Sequence, residues 1–216
     1  MFKINELFKI ILGIIILVFV VNLNSITKLE ISYEKIITAT IFVVIIVFVN
    51  IFAKKLAAYY YHSHAEIKIW NIEKYGLRAG QHFNKPIPAG IIIPFFLSIL
   101  SYGYFMWMAI FEFDVNPSAS RASKRHDMYK FSEMTDFDMG MIAAAGVVAN
   151  LFASIIGYLA GFPEFAKLSI YYSAFSLIPI SNLDGAKIFF ATRNIVLWIT
   201  LIVITAIALG YTWFLV

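Results

Sequence analysis

Long uncharged apolar runs alternate with short polar segments along this chain. Residues 10–27, 36–53, 140–162 and 195–216 each lack a charged side chain. A helix needs about 20 mostly apolar residues to cross a bilayer. The pattern therefore predicts spans over residues 8–27, 35–53, 140–161 and 195–216, and a further one over 167–181. Between the second and third spans the pattern changes. Tyr59-Tyr60-Tyr61 opens a polar, aromatic stretch, and such amphipathic rings suit the headgroup level. Ala65-Glu66-Ile67-Lys68-Ile69-Trp70 alternates in character and predicts a short strand. Pro86-Ile87-Pro88-Ala89-Gly90 breaks the chain. Residues 89–110 are apolar again, but Pro94 and Ser101-Tyr102-Gly103-Tyr104 interrupt them. A polar segment follows over 112–138, with Arg121, Lys124 and Arg125.

Charge decides how the interrupted segment is read. If residues 89–110 cross the membrane, Lys and Arg divide almost evenly between the two sides. If the segment dips in and returns, most of them gather on one side. The positive-inside rule favours the second arrangement, and re-entrant backbone is tolerated where protein shelters it. The expected fold is an all-α membrane protein with five transmembrane helices, six if 89–110 crosses. A sheltered re-entrant or short β element lies between the second and third spans. The N-terminus and the Asp184 end face the cytoplasm in this reading, and the chain sits in the cell membrane. The end of the second span and Asp184 then lie at the same depth.

Composition agrees with the membrane reading. Hydrophobic residues make up 61% of the 216 and charged residues 14%, against a globular norm of roughly 45–50% apolar. The run beginning at Ile10 has no small-residue cleavage site after it and reads as a retained span. The absence of cysteine excludes disulfides, thiol catalysis and cysteine-ligated clusters. The net charge of +4 is modest and its basic residues fall in loops. Membrane topology accounts for them, and no nucleic-acid partner is expected. No internal repeat or linker divides the chain, so residues 1–216 are read as one membrane domain with its core at about 35–190.

The candidate chemistry centres on one carboxylate. Asp184 follows an apolar helix and a proline break, in a Leu183-Asp184-Gly185 turn. A carboxylate at the mouth of a membrane segment must pair, bind a metal or meet water; capping the next helix is its structural alternative. His62, His64 and Glu66 fall at i, i+2 and i+4, so on a strand they would share one face as metal ligands, or simply lie solvated in a loop. His82 and His126 are read as loop residues. Asp136 and Asp138 suit the positive end of the following helix. Lys54 and Lys55 are read as headgroup markers. Asn50 and Asn150 lie within spans, where an interhelical hydrogen bond or contact with a substrate backbone would use them.

Phe175-Ser176-Leu177-Ile178-Pro179-Ile180-Ser181-Asn182-Leu183-Asp184-Gly185 resembles F-N-x-x-P-x-x-x-L-D-G of the site-2 protease family, the intramembrane zinc metallopeptidases. Ala145-Gly146-Val147-Val148-Ala149-Asn150 resembles that family's A-G-P-x-x-N helix. The 65–70 strand resembles one that follows the first catalytic helix in archaeal members. The resemblance implies a zinc site in which Asp184 is one ligand and an H-E-x-x-H helix supplies the others. It also implies substrate contacts from Asn150 and Ser176.

The decisive motif is degenerate. With Lys54 setting the register, the five positions are Val49-Asn50-Ile51-Phe52-Ala53. Val49 and Ala53 carry no donor atom, and the Asn50 amide cannot act as a base near neutral pH. Shifting by one residue, to Asn50-Ile51-Phe52-Ala53-Lys54, restores nothing. Catalytic zinc normally has three protein ligands, and one remnant carboxylate, Asp184, does not hold it. The expectation is a pseudoprotease without a cofactor, embedded in the lipid bilayer, that binds or regulates transmembrane segments of other proteins. An active zinc peptidase with displaced ligands and a structural subunit of a membrane complex are the alternatives.

Overall fold

The structure is a computed structural model that describes residues 4–27, 32–74, 82–118, 134–191 and 195–215. In chain order the described elements are α1 (Ile4–Thr27), α2 (Tyr33–Tyr60), β1 (Ser63–Ile69), β2 (Ile72–Lys74), β3 (His82–Ile87), α3 (Ala89–Leu100), β4 (Phe111–Pro117), α4 (Asp136–Leu159), α5 (Pro163–Ser176), α6 (Asp184–Ala191) and α7 (Ile195–Leu215). His126 and the Arg121–Arg125 cluster lie outside the described residues. Residues cluster into two compact units. One holds Met1–Val43 with Ile67–Glu112, and the other Val44–Glu66 with Phe113–Val216.

Four described helices are long and apolar enough to cross a membrane: α1, α2, α4 and α7. They coincide with the four uncharged runs. The fifth expected span is not among them. Its helix, α5, has 14 residues and starts with Pro163 in its first turn. At 1.5 Å per residue it rises about 21 Å, short of the roughly 30 Å of a hydrocarbon core.

In the first unit the chain over residues 89–110 leaves one residue and comes back to it. Gly90 N donates to Trp70 O at 2.9 Å, and Trp70 N donates to Ile110 O at 2.8 Å. Between these bonds, α3 carries the chain outward and a turn at Ser101–Tyr104 reverses it. Tyr102 at φ 52° and Gly103 at φ 81° supply the left-handed backbone that the reversal needs. The returning segment has no regular secondary structure before β4, and Met108, Ala109 and Ile110 are buried. Backbone outside helices and sheets must find other partners for its polar groups when buried. Helix α1 flanks the excursion. Its Glu6 Oε1 accepts from Ile67 N at 3.1 Å, Phe19 stacks on Phe95 at 5.4 Å, and Thr27 Oγ1 donates to Tyr102 O at 3.1 Å. The start of α1 thus meets β1, and its end meets the tip of the loop.

The expected strand at 65–70 is present as β1, and it pairs with β4. Ser118 N donates to His62 O, so the early end of β1 lies beside the late end of β4 and the pair is antiparallel. Strands β2 and β3 form a second antiparallel pair with Ile72 opposite Ile87 and Lys74 opposite His82. His82 therefore opens a strand rather than a loop.

In the second unit, α4 packs on α5 and α6, and α7 packs on both of these. Thr135 caps α4 by accepting from Asp138 N at 3.2 Å, with Asp136 and Asp138 in the first turn. Acidic side chains there complement the unpaired amides and the dipole of the helix start. Small residues fill the buried face of α4: Ala143, Ala144 and Gly146 are all buried. This is how helices approach closely without the help of a hydrophobic driving force in lipid.

Candidate functional site

The inner part of α2 buries a stripe at helical spacing. Ile46, Val47, Asn50, Ile51, Lys54 and Ala58 are all buried, as residues three and four apart on one face must be. This stripe carries Asn50 and Lys54 at i and i+4 inward together. Val49 and Ala53 lie beside it and are only part-buried. Of the two registers, the shifted one, residues 50–54, is the one whose first and last positions face the protein interior.

Gly146 of α4 meets both inward side chains. A Cβ built there would stand 2.7 Å from Lys54 Cε and 2.9 Å from Asn50 Nδ2, distances that atoms do not share. The missing side chain is the space in which the Lys54 stem lies. Lys54 reaches from there to Asp184, with Nζ 2.7 Å from Oδ2 and both side chains 2% exposed. Read from the sequence as a headgroup marker, Lys54 is instead the buried counter-ion of the carboxylate. Lys54 is held by the buried stripe of α2 and Asp184 by the turn that precedes α6.

That turn is locked by its neighbours. Leu183 is fully buried, and Ser181 takes a left-handed φ of 51°. A side chain at Gly185 would run into the Leu177 carbonyl, so glycine lets α6 start directly against the end of α5. The same carbonyl accepts from Trp198 Nε1 at 3.1 Å. Asp184 therefore begins α6 at a fixed position, where the unpaired amides of the helix start also favour its negative charge.

Phe113 of β4 covers the pair. Its ring centroid lies 5.2 Å from Lys54 Nζ and 3.9 Å from Lys187 Nζ, within the range in which a ring face attracts a cation. Lys187 Nζ also donates to the Phe113 carbonyl. Phe113 also lines a cleft of about 560 Å³, together with Asp114, Val115, Asn116, Asp136, Met139, Ser181, Asn182, Ala186, Lys187 and Phe190. Phe113 is itself fully buried.

The polar inventory around the pair is not used up. Both amide atoms of Asn50, both of Asn150, and Oδ1 of Asp184 are buried without a hydrogen-bond partner. Burying such a group unpaired costs about 1–3 kcal/mol, and native proteins usually resolve it with water or a guest. Neither asparagine makes the interhelical side-chain bond expected of it; the α4–α5 link at this level is Ser169 Oγ donating to the Asn150 carbonyl at 2.9 Å. Ser176 donates to Tyr172 O at 2.7 Å, within its own helix.

The His62, His64 and Glu66 set does not assemble. His62 precedes β1 in a left-handed turn at φ 52°, so it is outside the alternation. His64 is exposed and Glu66 half-exposed on the strand. Among the described residues no three His, Asp or Glu side chains come within reach of one ion.

Zinc does not fit the residues that surround Asp184. A zinc site takes anionic or neutral donors, commonly three from the protein. Here the carboxylate already meets an ammonium, and the neighbouring helix offers an amide and an alkyl face. Sequence reasoning singled out Asp184 and Asn50, placed Lys54 at a headgroup boundary, and gave no role to Phe113 or Lys187. The available signal for Lys54 was its i+4 spacing from Asn50 on the Ile46–Val47 stripe.

No protein-family model, curated protein or solved structure matches this chain.

Proposed function

We propose that this chain is a catalytically inactive, site-2-protease-like membrane protein that binds or regulates transmembrane segments of other proteins. The observation that carries the reading is the buried pair of Lys54 and Asp184. In the resembled family the aspartate of the Leu-Asp-Gly turn faces two histidines and zinc. Here a lysine from the corresponding helix neutralises it. Without zinc no bound water is brought to a reactive pKa near neutrality, and neither Asn50 nor Lys54 replaces the missing glutamate as a carboxylate base. What remains is a membrane scaffold with a cleft of about 560 Å³ at Phe113, where a segment of a partner would dock.

Helices α1, α2, α4 and α7 would cross the cell membrane, and α5 and the 89–110 loop would not span it by themselves. The N-terminus and the Asp184 end would face the cytoplasm, as the positive-inside rule favours.

The test is metal analysis and photocrosslinking on the same purified protein. The reading expects sub-stoichiometric zinc that is unchanged by Asp184→Ala, with crosslinks from a photoreactive residue at Asn182 to membrane proteins. Near-stoichiometric zinc lost on Asp184→Ala, with chelator-sensitive cleavage of a transmembrane substrate, would establish the active peptidase instead. A single stoichiometric companion in every preparation would establish the structural subunit.

A further inference from the structure

We propose that the Lys54 ammonium is a tethered cation seated in a cation pocket, and that this pocket accepts a free alkylammonium ion once the tether is cut. The inference stands on the geometry of Asp184, Lys54 and Phe113. It does not depend on whether the protein is an inactive protease.

Three features make the surroundings of Nζ a binding site rather than a chance contact. The carboxylate sits at the start of α6 between buried Leu183 and Gly185, which packs against the Leu177 carbonyl. A ring face lies 5.2 Å from the nitrogen, adding attraction that is stronger away from water. Acceptors also exceed what one lysine uses: Asp184 Oδ1 and the Asn50 carbonyl oxygen are buried without partners. A charged carboxylate at 2% exposure has lost its water and gains most from a cation that can enter.

The stem has its own channel. The space left by Gly146 holds Lys54 Cγ and Cε. Truncation to alanine removes three carbons and the nitrogen, which is the composition of n-propylammonium. That ion has the length, the charge and the three N–H donors of the lost group. Tetramethylammonium has the same charge and similar bulk but no N–H donor, so it cannot make the 2.7 Å contact with Asp184.

The experiment uses the full chain in detergent and compares Lys54→Ala with the parent in n-propylammonium chloride and in tetramethylammonium chloride at equal ionic strength. The thermal unfolding midpoint is measured as a function of salt concentration. The expected result is a saturable rise for Lys54→Ala in propylammonium, at concentrations about tenfold lower than any rise in tetramethylammonium, the ratio that 1.4 kcal/mol of binding preference produces. The parent should respond alike to both salts. Adding Asp184→Asn to Lys54→Ala should abolish the difference. Equal responses of Lys54→Ala to the two ions overturn the proposal, as does a propylammonium effect that survives Asp184→Asn. If Lys54→Ala is not recovered folded in plain buffer, the readout becomes its monodisperse yield when extracted in each salt. A higher yield in propylammonium supports the pocket; equal yields, including none in either, overturn it.

Discussion

Lys54 and Asp184 meet at 2.7 Å in a place where neither side chain is more than 2% exposed. One comes from the inner face of α2 and the other from the first residue of α6. Each is costly alone in this setting, and each makes the other tolerable. Continuum arguments and mutagenesis agree that a buried pair adds little compared with apolar residues of the same volume, whereas breaking one leaves a stranded charge.

Single and double substitutions should therefore diverge. Lys54→Met alone is expected to destabilise the protein by about 3–5 kcal/mol, and Asp184→Asn alone by a similar amount. The double variant should lose much less than the sum, because it removes both charges at once. Chemical unfolding in detergent followed by tryptophan fluorescence would measure this. Additive losses would mean that the two groups do not share a pair in solution.

A designed metal site discriminates between the two registers on α2. Asn50→His with Lys54→His places two imidazoles on the buried face, within reach of the carboxylate they flank. Such a set supplies the three protein ligands that zinc commonly takes. Val49→His with Ala53→His places them on the part-buried flank. The first variant is expected to retain about one zinc per chain after dialysis and to lose it when Asp184→Ala is added. Zinc retained by the 49/53 pair and not by the 50/54 pair would reverse the assignment of the inward face.

Gly146 should be coupled to Lys54. Gly146→Ala puts a methyl 2.7 Å from Lys54 Cε and 2.9 Å from Asn50 Nδ2, and overpacking of this kind typically costs about 1–3 kcal/mol. In a Lys54→Ala background part of that loss should vanish, because the lysine stem is gone and only the Asn50 contact remains. A penalty for Gly146→Ala that does not change with the residue at 54 would place the lysine elsewhere.

The out-and-back path of residues 89–110 predicts which side of a membrane its tip would reach. Tyr102 is exposed, and its carbonyl receives the Thr27 hydroxyl at the end of α1. Ile4, at the start of α1, is exposed as well. The chain has no cysteine, so single cysteines are clean probes. A membrane-impermeant thiol reagent should label Ile4→Cys and Tyr102→Cys from opposite sides of sealed vesicles. Labelling from one side would mean that α1 does not separate them.

Much of this protein was legible along the chain because a helix long and apolar enough to cross a membrane leaves a simple mark on sequence. A helix that crosses the hydrocarbon must be apolar for about 20 residues, and the four uncharged runs became α1, α2, α4 and α7. The alternation at 65–70 became β1 for a similarly local reason, since side chains on a strand point to opposite faces. Asp184 could be singled out because a carboxylate beside an apolar helix needs a partner. Its partner could not. Lys54 closes an apolar run, and by local criteria it belongs at a headgroup boundary; only the packing of α2 against Gly146 of α4 and the start of α6 turns it inward. The same limit explains α5, whose apolar character extends past its helix but whose length is cut by Pro163 and by the break after Ser176. It also explains residues 89–110, whose two ends meet at Trp70 through backbone bonds that leave no mark on composition. Span and strand are set by each segment's own chemistry. The direction in which a lone lysine points is set by which other helix has a glycine to receive it.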